Sequence, residues 1–432
     1  MAESAQLTSA PPTWVTAAEP GHWFRLSGNQ PGLGLEPTPP GTRFLEDGDP
    51  ALDPQLNPAR TVVEGLRRWL GRRPSAPWQG RSGFPAMTEA WNSAVLATEF
   101  GASGSMVVFG GGHDDYFGSD VHAFDLASRQ WSRISDGYLA ASEAAYGSGA
   151  VYPDSVYPDG SPLPPHTYDY VQYDPVGNDY ILFKGQTELG PDVKAVGIAH
   201  MFNLSTLAWR RSARHPVAIL NSGGWTTWDP VRRLVWGHSG DAGGGNAFIA
   251  FHPDGKNEDG SYGHWGQLHA NKLPGHADHN AMQIDPRRDV IVVAAHGRRA
   301  LYALDPRHPG EALTHLSEAG HRPELAAYAA LEFAPSMDAF VYCSAADAGA
   351  VYAVRPPEGS SWKSLVNGTW HWERLTDEGS TLNPIADAAS QTAYHCNPAH
   401  TFGRMRVASF GHRDVAILVR HVDSPVYAMA LD

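Results

Sequence analysis

The chain has 432 residues and carries 46 acidic against 32 basic side chains, a formal net charge of −14 at pH 7. This acidic balance argues against a nucleic-acid partner, because binding to phosphates needs a basic surface, and no stretch approaches the ~20 apolar residues that span a bilayer. Glycine (45) and proline (34) are abundant and only 18% of the residues are charged, a composition that favours many short strands joined by tight turns over long helices.

Residues 1–88 are predicted to form an N-terminal extension, and residues 89–432 the main domain. Within the extension, "GHWFRLSGN" (21–29) resembles the strands that end the repeats described below, with a tryptophan followed closely by a leucine. Further along, "ARTVVEGLRRWLGRR" (59–73) is typical of a short helix.

A repeat of roughly 40–55 residues, the period of four-stranded propeller blades, runs through the main domain. In each unit an apolar strand ends near Asp-Pro, a short turn follows, and a second hydrophobic strand runs into Gly or His, as in "YDYVQYDPVGNDYILFKGQ". The Asp-Pro turn is typical of a hairpin between the first two strands. Because a four-stranded blade cannot bury both of its faces alone, such units stack radially around a central channel.

The repeat therefore predicts an all-β fold, a β-propeller of six four-stranded antiparallel blades. The blades are predicted at 89–134, 166–212, 222–268, 277–318, 326–376 and from 398 onward. The last unit ends at Asp432 after its third strand, so the strand at 21–29 is expected to complete this blade and close the ring. A seventh blade within 30–88 is the alternative.

The segment "MVVFGGG…DVHAFDLASRQW" (106–131) resembles the kelch-type repeat in its glycine run, its spaced aromatic residues and its closing tryptophan. Over 21–29 and 89–432 the chain resembles the bacterial kelch-like and galactose-oxidase-like propellers. The nearest functional comparison is with the propeller polysaccharide lyases, which cut ulvan and related uronate-containing glycans.

The resemblance to these lyases implies a set of catalytic residues. It assigns His113 after the first glycine run, His166 and Tyr168 of "HTYDY", and a cation at Lys184 of "FKG". Because the family has Arg in the charge-neutralising role, Arg404 of "TFGRMR" is the alternative cation.

Lyase chemistry explains why these residue types are needed. A cation neutralises the uronate carboxylate, a base removes the C5 proton, and an acid protonates the leaving glycosidic oxygen. Imidazole suits the base because its pKa lies near the working pH, and a nearby cation favours the ionised form of a tyrosine. His113 and Tyr168 are the predicted proton-transfer pair, with Lys184 or Arg404 neutralising the carboxylate.

The repeat also brings other polar and aromatic residues to the predicted channel opening. The candidate substrate-binding residues are Tyr116, Trp225, His238, Asn280 and Tyr328. In "HADHN" (276–280), His276 and His279 are spaced as two ligands of a metal site, which would make zinc or calcium an optional cofactor. Structural interpretations stay open, with His113 in a turn, Tyr168 in the core and Lys184 in solvent.

The favoured function is a polysaccharide lyase that cleaves a uronate-containing glycan by β-elimination without a required cofactor. The expected partner is an anionic polysaccharide or oligosaccharide, and the chain is expected to be a monomer. The alternatives are a non-catalytic propeller that binds glycan or protein, and a metal-dependent carbohydrate oxidase or hydrolase. A secreted or periplasmic location is expected, although no signal peptide is visible at the start of the chain.

Overall fold

A computed structural model describes most of the repeat region and part of the N-terminal extension. The described residues are 11–27, 92–110, 119–135, 154–186, 195–215, 223–239, 247–270, 279–344, 346–347, 349–380, 382–384, 401, 403–420 and 425–432. The helix predicted at 59–73 lies outside them. No described helix is long and apolar enough to cross a membrane.

The described elements begin with a short helix and a short strand, followed by blades one and two. The first two are α1 (Thr13–Ala17) and β1 (Phe24–Arg25). Blade one contains β2 (Ala94–Ala97), β3 (Ser105–Val108), β4 (Val121–Asp125) and β5 (Gln130–Ser135). Blade two begins with β6 (Val171–Asp174) and β7 (Asp179–Leu182), continues through a separate hairpin of β8 (Gly185–Gln186) and β9 (Ala195–Val196), and ends with β10 (His200–Asn203) and β11 (Ala208–Arg211).

Blades three and four repeat the four-stranded antiparallel pattern. Blade three contains β12 (Trp225–Asp229), β13 (Leu234–His238), β14 (Ala247–Lys256) and β15 (Tyr262–Trp265), with β16 (His269–Ala270) also paired to β14. Blade four contains β17 (Ala281–Asp285), β18 (Val290–Ala295), β19 (Ala300–Leu304) and β20 (Thr314–His315), with a 3₁₀ helix at His296–Arg298.

Blades five and six complete the ring. Blade five contains β21 (Ser317–Gly320), β22 (Ala330–Ala334), β23 (Ala339–Cys343), β24 (Val351–Arg355), a helix α2 (Trp362–Asn367) and β25 (Thr369–Arg374). Strand β21 runs parallel to β25 at the outer edge. Blade six contains β26 (Met405–Phe410), β27 (Arg413–Leu418), β28 (Tyr427–Ala430) and, as its fourth strand, β1.

Ring closure by an N-terminal strand is confirmed. Phe24 pairs with Ala428 and Arg25 with Tyr427 in an antiparallel register, so the paired strand is the two-residue core of the predicted 21–29 segment. The inner strands β2, β6, β12, β17, β22 and β26 contact one another in a closed circle. The seventh blade considered for 30–88 is therefore wrong: six blades close the propeller.

The hydrophobic core lies between the blades. Among the described residues, each of six apolar clusters fills the gap between two neighbouring blades, and together they run around the ring. This arrangement follows from the strand patterns, in which most strand residues are apolar and buried and each blade shields the next. The rigid packing fixes the positions of the inner-strand ends, which form the channel openings.

The Asp-Pro turns have the hairpin structure that the sequence predicts. The Asp229 carboxylate accepts hydrogen bonds from the backbone N–H groups of Val231 and Arg232, at 3.0 Å each. Asp285 does the same for Arg287 and Arg288, at 2.8 and 3.2 Å. Each turn leads the chain from an inner strand directly into the second strand of its blade.

Candidate functional site at one end of the channel

All six inner strands begin at the same end of the channel, and pairing with the second strands defines equivalent positions there. These positions are occupied by Tyr170, Trp225, Ala281, Ala330 and Met405 in blades two to six. Two residues earlier, every one of these blades has a backbone in the left-handed region: Tyr168 (φ 45°), Gly223 (78°), His279 (57°), Tyr328 (61°) and Gly403 (72°). We call the channel end formed by these five residues the mouth.

Left-handed backbone is unusual for residues with a side chain. At the mouth, glycine occupies this position in blades three and six, whereas blades two, four and five place a tyrosine or a histidine there. Such strained residues persist where the surroundings hold them, and they cluster at binding and catalytic sites. The mouth thus has the backbone signature of a functional site.

Hydrogen bonds between neighbouring blades hold these strained residues. The His279 N–H donates to the Gly223 carbonyl at 2.6 Å, and the Tyr328 N–H donates to the His279 carbonyl at 3.1 Å. The Thr401 N–H continues the series by donating to the Tyr328 carbonyl at 3.2 Å. The backbone of the mouth is therefore a belt that links blades three, four, five and six.

The side chains at the mouth form a row of aromatic and imidazole rings. The ring centroids of Tyr168 and His279 are 5.5 Å apart, and those of His279 and Tyr328 are 4.2 Å apart. His166 packs edge-on against Tyr168, with the centroids 5.8 Å apart. Gly223 makes this possible, because a Cβ there would lie 2.7 Å from His279 Cε1. The mouth row, His166, Tyr168, His279 and Tyr328, thus joins residues from three blades.

Lys184 follows strand β7 and lies beside the mouth row. Its Nζ is 5.1 Å from the centroid of the Tyr168 ring and 5.4 Å from that of Tyr170. The residue is only 2% exposed, and this burial lowers the pKa of the amine to about 7. Lys184 therefore gains and loses its charge near neutral pH, next to a phenol.

A small cavity of about 10 Å³ lies against Tyr168, His279 and Tyr328. This volume is that of about one ordered water. Asn280 lines the same cavity, and its Oδ1 accepts a hydrogen bond from the His296 N–H at 3.1 Å. A ligand larger than a water would therefore contact the mouth row only from outside this cavity.

An ionic cluster lies in the channel next to the mouth row. Arg406 Nη1 donates to Glu332 Oε1 at 2.6 Å, and Nη2 lies 3.4 Å from Asp169 Oδ1. Burial raises the pKa of Asp169 to about 8, although the Arg406 charge opposes this shift. Burial also raises the pKa of Glu332, again opposed by the Arg406 charge. The cluster thus places one guanidinium between two carboxyl groups whose pKa values are both raised. Asp169 follows Tyr168 directly and links the cluster to the mouth.

The structure brings together many of the residues that the sequence analysis selected. His166, Tyr168 and Lys184 lie within one contact network, and His279, Asn280 and Tyr328 join it at the mouth. His166 and Tyr168 are buried, and Tyr168 packs in the core cluster between blades two and three, whereas His279 and Tyr328 are partly exposed. His113, Tyr116 and His276 lie outside the described residues.

Other candidates lie in packing roles. Arg404 is buried and donates to the carbonyls of Asn92 (2.5 Å), Val419 (3.1 Å) and Arg420 (3.1 Å), so it ties blade six to blade one. Trp225 and His238 are also buried, stacked on each other with centroids 4.2 Å apart. These contacts favour structural roles over substrate contact.

The metal site predicted around His276 and His279 stays a prediction. No group of three or more His, Cys, Asp or Glu residues in the described part of the chain is arranged to hold a metal ion. The His279 ring instead packs between two tyrosine rings.

The ionic cluster was not predicted from the sequence. A signal for it is present, because Glu332 in "ALEFA" and Arg406 in "MRVASF" are charged residues within otherwise apolar inner strands. Buried charges of this kind occur in pairs.

Comparisons with known proteins add no family to this picture. No family model matches the chain, and no curated protein matches its sequence.

Proposed function

We propose that the protein is a polysaccharide lyase that cleaves a uronate-containing glycan at the mouth of the channel. One observation carries the proposal: the imidazoles of His166 and His279 and the Lys184 amine all pack against the Tyr168 ring, and His279 comes from a different blade. These are the acid, base and cation types that β-elimination needs.

The reaction balances with these groups alone. The neutral imidazole of His279 removes the C5 proton, the C4–O bond breaks as the C4=C5 double bond forms, and Tyr168 donates its phenolic proton to the leaving oxygen. The imidazolium then returns its proton to the Tyr168 phenolate, which restores both groups. No external acid, base or oxidant is consumed.

Lys184 supports this cycle through the tyrosine. Because the amine is almost fully buried, a polymer reaches it only with difficulty, whereas its charge lies 5.1 Å from the Tyr168 ring. A cation at this position stabilises the phenolate that forms when the proton leaves. Direct neutralisation of the uronate carboxylate by Lys184 stays a prediction from the sequence.

A non-catalytic glycan-binding propeller is the second candidate. It is favoured by the partly exposed rings of His279 and Tyr328 at the mouth, since rings of this kind suit stacking on sugars. In that case the mouth row would bind glycan without any bond cleavage.

The test is a panel of polysaccharides that contain glucuronate, mannuronate, guluronate or galacturonate. Each is incubated with the purified chain, and the conjugated C4=C5 product is followed by its ultraviolet absorbance, with binding measured in parallel. We expect at least one polymer to yield the unsaturated product, and His279→Gln to lower that rate by about 10²–10⁴-fold, the usual contribution of a general base. Binding of a polymer without unsaturated product would favour the second candidate.

The matched control is His252→Gln. His252 stacks on His264 at the outer strands of blade three, with centroids 4.4 Å apart, and makes no contact with the mouth row. This variant is expected to keep the wild-type rate.

A further inference from the structure

A second, larger cavity occupies the channel at the end opposite the mouth. Its volume is about 170 Å³ and all six inner strands contribute to its wall. Each blade contributes at least one lining residue, for example Leu96, Gln172, Trp228, Gln283, Phe333 and Val407. Because these residues lie on paired inner strands, the wall is preformed. We call this space the axial cavity.

The size of the axial cavity selects small ligands. An apolar cavity of about 150 Å³ holds one benzene ring, so the size of the axial cavity, about 170 Å³, matches about one six-membered ring. Pro175, Pro230 and Pro286, which follow three of the inner strands, line the cavity as well. A longer ligand would therefore have to extend past them.

Two polar groups on neighbouring blades are not used by the described part of the chain. The indole N–H of Trp228 is buried and donates to no described residue. The Gln172 side chain donates through Nε2 to the carbonyl and hydroxyl of Thr226, at 3.0 and 3.1 Å, and its Oε1 accepts from no described residue. Both residues line the axial cavity, so its wall contains one donor and one acceptor that the described residues do not use, beside an aromatic ring.

The ionic cluster forms the inner end of the axial cavity. Arg406 and Glu332 line it, paired at 2.6 Å, and Asp169 lies 3.4 Å from the same guanidinium. The Arg406 cation is therefore already paired with carboxyl groups of the protein. A neutral ligand suits this surface better than an anion or a cation, whose charge would stay uncompensated away from water.

We propose that the axial cavity binds a neutral pyranose, one monosaccharide unit of a glycan, stacked on Trp228. A pyranose presents a C–H face to an aromatic ring, and its hydroxyl groups can both accept from the Trp228 N–H and donate to Gln172 Oε1. A purely apolar ring would leave both groups unpaired. This inference is independent of the lyase proposal, since it uses other residues at the other end of the channel.

The experiment titrates the full-length protein with neutral monosaccharides: glucose, galactose, mannose, xylose and rhamnose. Binding is measured by saturation-transfer NMR and calorimetry, with glucuronate and methylguanidinium as charged comparison ligands. We expect at least one neutral sugar to bind more tightly than both charged ligands. Trp228→Phe keeps the ring but removes the N–H, and we expect it to weaken binding about tenfold, the effect of one lost hydrogen bond.

Two further variants make the result decisive. Gln172→Leu is expected to weaken binding by a similar factor, and Trp209→Phe, which removes another indole N–H that lacks a described partner on β11 of blade two, is expected to leave it unchanged. Tyr168→Phe is also expected to leave sugar binding unchanged, which separates this site from the mouth. The inference is overturned if no neutral sugar binds. It is also overturned if Trp228→Phe and Gln172→Leu bind the sugar as tightly as the wild type does.

Discussion

At the scale of single residues, the mouth shows how backbone strain and chemistry coincide. Tyr168, His279 and Tyr328 adopt left-handed backbone where equivalent positions of other blades have glycine. Each such residue costs about 1–3 kcal/mol, and belt hydrogen bonds offset that cost at His279 and Tyr328. The strain positions the rings toward one another, which an ordinary strand end would not do.

Gly223→Ala tests this arrangement. The new Cβ would lie 2.7 Å from His279 Cε1, on a backbone with φ of 78°. We expect the free energy of unfolding to fall by about 1–3 kcal/mol, measured by urea denaturation, and elimination activity to fall with it because His279 must move. Gly411→Ala is the control, since its φ is 69° but a Cβ there meets nothing within 4 Å. Equal losses in both variants would contradict the packing argument.

Lys184→Met separates function from stability. Above pH 10.5 the amine is neutral in both the folded and the unfolded chain, whereas between 10.5 and about 7 only the unfolded chain takes up the proton. The native Lys184 therefore lowers the free energy of unfolding progressively as the pH falls through this window. Below about pH 7 this destabilisation has reached its full size.

At pH 7 we expect the free energy of unfolding of the methionine variant to exceed that of the wild type by several kcal/mol, at about 1.4 kcal/mol per pKa unit. This gain is expected to vanish toward pH 10.5. Activity is expected to fall in the same variant. Chemical denaturation across this pH range measures the first effect, and Lys256→Met, an exposed lysine, is the control. A stability gain that did not depend on pH would contradict the role of the buried charge.

Residue types near strand starts were predictable, but their partners were not. "HTYDY" and "FKG" identify His166, Tyr168 and Lys184 because polar residues at the ends of apolar strands are conspicuous. The pairing of Arg406 with Asp169 joins residues 237 positions apart, and only the ring geometry reveals it. For the same reason the sequence selected Arg404, whose side chain binds backbone carbonyls, rather than Arg406.

At the scale of elements, the Asp-Pro hairpins connect neighbouring blades as well as neighbouring strands. Arg232 binds Asp229 of its own turn at 2.8 Å and Asp289 of the next blade at 2.6 Å. Arg288 repeats the pattern one blade later with Asp285, at 2.7 Å, and Asp338. The recurrence explains why "DPVRR" and "DPRRD" share their arginines: the repeat encodes the contact between blades.

Arg232→Met is expected to lower the free energy of unfolding by about 1–3 kcal/mol, because the Asp229 carboxylate stays buried without its cation. Arg299→Met is the control, since Arg299 and its partner Glu324 are 73% and 59% exposed, and exposed pairs contribute about 0–1 kcal/mol. Thermal and urea unfolding of both variants measure the difference. A loss no larger than that of the control would contradict a role of this hairpin in holding the blades together.

At the scale of the whole molecule, the N-terminal segment closes the ring of blades. Besides the pairing of β1 with β28, the Trp14 indole donates to the Leu126 carbonyl of blade one at 2.8 Å. The Trp23 indole donates to the Gly349 carbonyl of blade five at 3.1 Å. The segment thus contacts the blades on both sides of blade six.

Trp23→Ala tests this closure. The side chain is buried against blades five and six, so we expect a loss of about 3–5 kcal/mol in unfolding free energy. Val176→Ala, at a side chain that is 66% exposed, is the control and is expected to be near neutral. A small loss of unfolding free energy for Trp23→Ala would contradict a role of the N-terminal segment in holding the ring closed.

The architecture as a whole was the most predictable level. Strand periodicity, Asp-Pro turns and the missing last strand together predicted six blades and their closure, because every blade repeats the same local pattern. The site was less predictable, since blades two, four and five meet only through the curvature of the ring. The candidates His113, Tyr116 and His276 stay predictions.

The central claim is that the Tyr168 phenol transfers a proton during cleavage of a uronate glycan, and a pair of tyrosine variants tests it most directly. Tyr168→Phe and Tyr180→Phe each remove one hydroxyl from blade two; Tyr180 is fully buried, and its hydroxyl has no hydrogen-bond partner among the described residues. With a polymer that the wild type cleaves, Tyr168→Phe is predicted to form unsaturated product about 10²–10⁴-fold more slowly, and Tyr180→Phe at the wild-type rate. Cleavage by Tyr168→Phe at the wild-type rate would contradict the account.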